Sequence, residues 1–390
     1  MIYDIKNIYQ ILILFGLIIM PVLSFTEITT LMYGVSTHNA LLSPWYIKGI
    51  KDFIFILIIL IGIFWMIRYK YRLRIDITLY MLYFLILVSM ILSLIEYNLI
   101  VVLAGIRWAI PLLLIPFLIS NIDEKLQIKI AKVLMLLVFL GLIFQLLQTT
   151  TLYEYFGSNK LGFSRRNPGF FTIPSTMSIF LLFSLWYVYH FLEKSIFNQF
   201  FVYLIVPISV FLAGSATGLL AMIIFYFFIF YTKSKYKRII IILSIIFTLF
   251  VFIMLPIILN RADLMSSLLI RMELYNHISY MNIFIGDRFG LATNTALLIP
   301  GNFTDKAFST DGLVLSFIIN IGLISFLIFV YIVIKNGEKT LKFIHFFMIT
   351  SIFSFNSILF EVYPVNLLIA INLAYFISRN SDDLVKIQAD

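Results

Sequence analysis

Apolar stretches of about 15–23 residues recur along the whole of this 390-residue chain, each near the length a helix needs to cross ~30 Å of hydrocarbon. This repetition constrains the fold more than any other feature. Inside hydrocarbon every backbone N–H and C=O must find a partner within the protein, so spans of this length are helices. The stretches fall at about 7–24, 50–67, 75–97, 98–120, 128–150, 172–191, 200–214, 216–232, 239–259, 312–334, 342–357 and 363–378. They predict an all-α polytopic membrane protein of about twelve transmembrane helices, with residues 1–390 as one integral membrane domain. Composition agrees, because only 12% of residues are charged and 62% are hydrophobic, whereas a soluble domain carries roughly 25% charge. The first run, Ile8 to Ser24, follows a single lysine (Lys6) and shows no small-residue cleavage site, so it reads as a retained span.

The formal charge of +9 comes from basic residues clustered between apolar runs. Such clusters report topology and give no reason to expect a nucleic-acid partner. With the amino terminus inside, the cytoplasmic segments hold 18 of the 28 lysines and arginines, among them Arg68, Lys70, Arg72 and Arg74, and Lys233, Lys235, Lys237 and Arg238. Inverting the chain would reverse this bias, so both termini are expected in the cytoplasm. Two outward segments, about 151–171 and 260–311, are longer than a simple connection requires. The second keeps many apolar and aromatic residues, and Ser266–Tyr280 within it reads as a helix along the membrane surface.

Arginine breaks the topological rule. Six of its eleven copies (Arg107, Arg165, Arg166, Arg261, Arg271 and Arg288) lie outside or within the membrane. A planar five-donor fork suits phosphate or carboxylate, which makes an anionic ligand the functional reading. Scattered loop arginines paired with loop acids are the alternative. Arg107 falls about nine residues into the fourth span, roughly 13 Å below its boundary, where a guanidinium faces a partner or a cavity. It either pairs with Glu96 or holds a diphosphate head group. Arg165 and Arg166, followed by Asn167-Pro168-Gly169, either clamp phosphate or form a solvated loop tip.

Helical spacing puts Arg271 and Tyr275 on one face of the surface helix, and Glu273 and His277 on another. With Asp287, Asp305 and Asp311 these supply groups able to act as general base toward a sugar hydroxyl, or simply to solvate the loop. The four histidines (His38, His190, His277, His345) show no ligand spacing and there is no cysteine, so neither a metal nor a cofactor is expected. Gly214-Ser215-Ala216-Thr217-Gly218 suits a tight outward turn between two short spans.

Taken in order, several of these features resemble the Wzy-type O-antigen and capsular polysaccharide polymerases of the O-antigen ligase-like superfamily. They are Arg107 inside a middle span, Arg165-Arg166-Asn167-Pro168-Gly169-Phe170 entering a span, and Ala213-Gly214-Ser215-Ala216-Thr217-Gly218-Leu219-Leu220 between spans. Arg271, the Phe284–Gly290 turn, and Ser309-Thr310-Asp311-Gly312 opening a span that continues Asn320-Ile321-Gly322-Leu323 complete the pattern, over about residues 100–335. The resemblance implies a GT-C-like fold in the bacterial inner membrane, with a partly helical periplasmic loop between spans nine and ten. It implies a metal-independent glycosyltransferase that moves a glycan from undecaprenyl diphosphate to the non-reducing end of a lipid-linked repeat unit. Its partners would be those lipid-linked oligosaccharides, membrane lipids and a chain-length regulator protein.

By position, Arg107, Arg165, Arg166 and Arg271 take the family's arginine roles and Asp311 its acidic one. Arg261, Arg288 and Tyr275 join them as binding residues, and Glu273 and His277 as further catalytic candidates. Ala216 stands where many relatives have arginine, and the ligases' histidine near the end of the large loop is missing, which favours polymerase over ligase. An O-antigen ligase and a flippase or other transporter of lipid-linked oligosaccharide are the alternatives. A transporter would concentrate broken helices at mid-membrane.

Overall fold

The computed structural model describes residues 2–32, 45–68, 77–119, 121–149, 166–236, 242, 284–295 and 312–380, except 172, 287, 294, 338 and 339. Among them the chain forms eleven helices and no strand. They are α1 (Ile2–Met32), α2 (Trp45–Arg68), α3 (Ile77–Glu96), α4 (Leu99–Leu118), α5 (Glu124–Thr149) and α6 (Pro174–Phe191). Then follow α7 (Ile196–Ala213), α8 (Ala216–Lys233), α9 (Leu313–Asn336), α10 (Leu341–Ser354) and α11 (Val365–Asn380). Each overlaps one predicted apolar stretch, while the stretch at 239–259, apart from residue 242, lies outside the described residues. Six helices (α3, α4, α5, α7, α8 and α9) are long and apolar enough to cross a membrane, and three shorter apolar ones lie in α1, α10 and α11. The chain is a helical membrane protein.

Local chemistry sets the helix boundaries. Asn98 caps α4 by accepting from Val101 N–H at 3.1 Å, and Ser215 caps α8 by accepting from Gly218 N–H at 3.3 Å. The small-residue turn is shorter than expected: only Gly214 and Ser215 lie outside helix, and Ala216 already begins α8. In α7, Pro207 has no N–H to donate and its ring crowds the preceding turn. The helix answers with a π turn at Phe201–Ile205, in which Val206 N–H reaches back to Phe201 O. In α4, Pro116 leaves the Leu112 carbonyl without its helical donor, and the Tyr83 hydroxyl from α3 supplies one at 2.9 Å.

α6 is the central post, buried on all sides by α5, α7, α8 and α10. Its Trp186, Tyr187, Phe180 and Phe183 are among the largest fully buried side chains. α4 is the second post, packed against α2, α3 and α11. α3 packs chiefly against α9.

One departure from expectation shapes everything below. Residues 284–295 fall within the expected outer loop, yet Gly286 and residues 289–293 are folded into the bundle between α3, α4 and α9. Phe289, Leu291, Ala292 and Thr293 are fully buried there. Irregular backbone at such a position must have its polar groups met by protein. Ser89 donates to the carbonyls of Ile285 and Gly286 at 2.9 and 2.8 Å, and Ser93 to Phe289 O at 3.0 Å. Asn320 Oδ1 accepts from Gly290 N–H at 2.8 Å, and the Ser316 hydroxyl donates to Ala292 O at 2.8 Å.

The break in α9 belongs to the same arrangement. Gly322 leaves helical geometry with φ +86°, so Ile324 N–H loses its helical acceptor and bonds Phe284 O at 3.3 Å. Asn320→Ala would strand the Gly290 N–H, and should lower stability by ~1–3 kcal/mol, read from thermal unfolding in detergent. Leu327→Ala, on a lipid-exposed site of the same helix, should shift the midpoint less; an equal shift would contradict the role given to Asn320.

Candidate functional site

The end of the bundle at which α4 begins carries a cluster of charged groups. Arg107 lies eight residues after Leu99, about 12 Å along α4. An arginine there needs compensation, and two residues remote in sequence provide it. Its Nε donates to Asp52 Oδ1 of α2 at 2.9 Å, and its Nη1 donates to Thr295 Oγ1 at 3.2 Å. Glu96, the partner considered from sequence, is not the ion-pair partner; Asp52 is. The reason is packing: α4 lies against α2, which brings Asp52 to the arginine's face.

Thr295 has accepted from Arg107, so its own proton points onward to Glu361 Oε1, 3.4 Å away in the connection between α10 and α11. The guanidinium thus donates to the hydroxyl and the hydroxyl to the carboxylate, a chain directed one way. Lys51 lies nearby, 5.8 Å over the Tyr363 ring. The named charges cancel, with Lys51 and Arg107 against Asp52 and Glu361, so this is a site of separated charge. Arg107 and Asp52 remain about 30% exposed, enough for a ligand to reach them. Among the described residues, two of the five guanidinium N–H donors have a protein partner.

Arg166 sits elsewhere at this end. Its methylenes pack over Gly214, where a Cβ would lie 2.7 Å from Arg166 Cγ. Asn167 to Phe171 are buried, so this stretch is part of the bundle and not a solvated loop tip. Its backbone is held by the α5 glutamines: Gln145 donates to Asn167 O at 2.9 Å and Gln148 to Gly169 O at 2.8 Å. The connection at 355–364 reaches both arginine regions. Asn356 donates to Thr217 Oγ1 at 2.7 Å beside the Gly214 turn, while Glu361 faces Thr295. Arg288 is half-buried on the 284–295 segment.

Next to this cluster lies a cavity of about 150 Å³ between α9, α10 and α11, lined largely by phenylalanines such as Phe317, Phe329, Phe346 and Phe360. Trp108, the neighbour of Arg107, packs edge-on against Phe317 at 5.4 Å and lies 5.5 Å from Phe360. An apolar chamber and a charged cluster therefore share a wall.

Arg165, Arg261, Arg271, Glu273, Tyr275, His277 and Asp311 lie outside the described residues. Of the predicted residues, the structure thus places Arg107, Arg166 and Arg288. It adds Asp52, Thr295 and Glu361, which the sequence did not single out. Asp52 might have been suspected as an acid one turn into an apolar stretch; Thr295 carried no signal. The structure also pairs two histidines that sequence spacing kept apart, with His190 Nε2 2.9 Å from His345 Nδ1 at the opposite end of α6. No known protein family, curated protein or solved structure matches the chain.

Proposed function

We propose that this protein is a polysaccharide repeat-unit polymerase with twelve membrane spans and both termini in the cytoplasm. It resides in the bacterial inner membrane and works on that membrane's outer face. It transfers a growing glycan from undecaprenyl diphosphate to the non-reducing end of a lipid-linked repeat unit, without metal. The observation that carries the reading is Arg107: a guanidinium set about 12 Å into the bundle, with three of its donors not taken by any described residue and a carboxylate one hydroxyl away. In such a site the arginine meets the negative charge that develops on a leaving diphosphate, where low dielectric makes the interaction strong. Arg166 and Arg288, with Arg165, Arg261, Arg271 and Tyr275, supply further glycan and diphosphate contacts. A chain-length regulator is the protein partner in this reading.

A strain lacking the gene tests it. Its surface polysaccharide, separated on a gel, should collapse from a ladder to a single repeat unit, and the chain supplied in trans should restore the ladder. One observation favours a second reading. The break in α9 at Gly322, facing a buried irregular segment, is the kind of discontinuous helix that transporters use for substrate binding. A flippase, or a ligase, would show itself by loss of the single repeat unit as well.

A further inference from the structure

We infer that Glu361 is the proton acceptor for the incoming sugar hydroxyl, an inference that rests on the polymerase reading and adds to it the residue that activates the acceptor. The described site holds two carboxylates, and geometry separates their roles. Asp52 is committed to Arg107 Nε at 2.9 Å, and taking a proton would remove the charge that compensates a guanidinium within the bundle. Among the described residues, Glu361 is linked to Arg107 through the Thr295 hydroxyl and does not touch the guanidinium itself. It can therefore change protonation without uncoupling the arginine from its counter-ion.

Its backbone setting is equally defined. Glu361 N–H donates to Ile358 O at 2.9 Å. The connection is tied to α9 by Leu313 N–H donating to Ser357 O at 3.1 Å, and to α8 through Asn356. Two residues on, the Tyr363 hydroxyl donates to Gly16 O of α1 and its ring meets Phe55 of α2 edge-on. A carboxylate on so anchored a connection has a fixed relation to Arg107, as transfer between two bound substrates requires.

The step balances as a single displacement. The acceptor hydroxyl oxygen bonds to the anomeric carbon of the donor glycan while its proton passes to Glu361. The bond from that carbon to the diphosphate oxygen breaks, and the undecaprenyl diphosphate departs with the electron pair. Arg107 meets the charge appearing on the diphosphate. Glu361 then returns its proton to solvent.

The test uses the full-length protein in phosphatidylethanolamine–phosphatidylglycerol vesicles, supplied with the lipid-linked oligosaccharide extracted from the deletion strain. Wild-type protein must lengthen this material; if it does not, the polymerase reading fails and the inference falls with it. Given wild-type activity, Glu361→Gln should lower kcat by ~100-fold or more with KM changed less than ~3-fold, and should remove the acidic limb of the pH profile. Glu361→Asp, a shorter carboxylate, should be slower than wild type but keep that limb, and it decides the matter if the glutamine variant does not accumulate. Glutamine-variant turnover within ~3-fold of wild type, or a loss confined to KM, would overturn the assignment, as would wild-type turnover in the aspartate variant when that alone can be measured.

Discussion

Arg107→Ala should abolish long-chain polysaccharide and leave a single repeat unit at the cell surface, with polymer yield reduced by ~100-fold or more. The size of the effect follows from what the guanidinium does. It is the half-buried cation of the described site, and the donors not held by Asp52 and Thr295 are those offered to a diphosphate. Removing it also takes the guanidinium from beside the half-buried Asp52 carboxylate, which lowers stability as well as chemistry. Arg107→Lys separates the two effects. An ammonium keeps a positive charge beside Asp52 but cannot span Asp52, Thr295 and a ligand with one planar fork. The lysine variant should therefore accumulate in the membrane at wild-type level and still fail to build a ladder. A full ladder from Arg107→Lys would show that charge alone suffices, and one from Arg107→Ala would remove the arginine from the mechanism.

Gly290→Ala should be the most damaging glycine-to-alanine change among the described glycines, because its Cβ would make the closest backbone clash. Gly290 has φ +100°, a region that costs an L-residue ~1–3 kcal/mol. A Cβ there would run into the Val101 carbonyl and lie 3.0 Å from Gly105 N, and both obstacles are α4 backbone that cannot rotate away. Overpacking adds ~1–3 kcal/mol, so the combined loss is about 2–6 kcal/mol. Because Gly290 N–H is also the group that Asn320 accepts from, displacement would pull residues 284–295 off α9 and carry Thr295 away from Arg107. Thermal unfolding in detergent should show a large fall in midpoint, with activity lost in parallel. Gly49→Ala is the control, since nothing lies within 4 Å of its Cβ and it stands in an exposed helix interior. That change should be neutral or stabilising by up to ~1 kcal/mol. Equal effects at the two glycines would refute the packing described between residues 284–295 and α4.

Legibility in the sequence divides along physical lines. Hydropathy is a local property, so the apolar stretches located eleven helices, including the short α10 and α11. It failed at boundaries set by specific chemistry: α1 extends from Ile2 to Met32, and α8 begins inside the turn expected at 214–218. Arg107 was visible because a guanidinium in an apolar run is anomalous wherever the helix packs. Its partners were not visible. Asp52 is 55 residues away and Thr295 is 188 away. Glu361 stood between two short spans, where acids are ordinary. Residues 284–295 misled for a related reason. A turn-rich stretch with glycines reads as a surface loop, and only serines and an asparagine on neighbouring helices make its burial affordable.

The sequence by itself determined that this chain is a helical membrane protein and that Arg107 sits where an arginine must have a purpose. Both follow from the cost of placing polar groups in hydrocarbon, which each residue carries with it. The tertiary structure decided what surrounds that arginine. Which helices lie side by side fixed Asp52 as its counter-ion, brought Thr295 in on a buried segment, and set Glu361 at the end of the chain of hydrogen bonds. Such proximity depends on the packing of α4 against α2 and α11, and of α3 against α9. No window of sequence contains it.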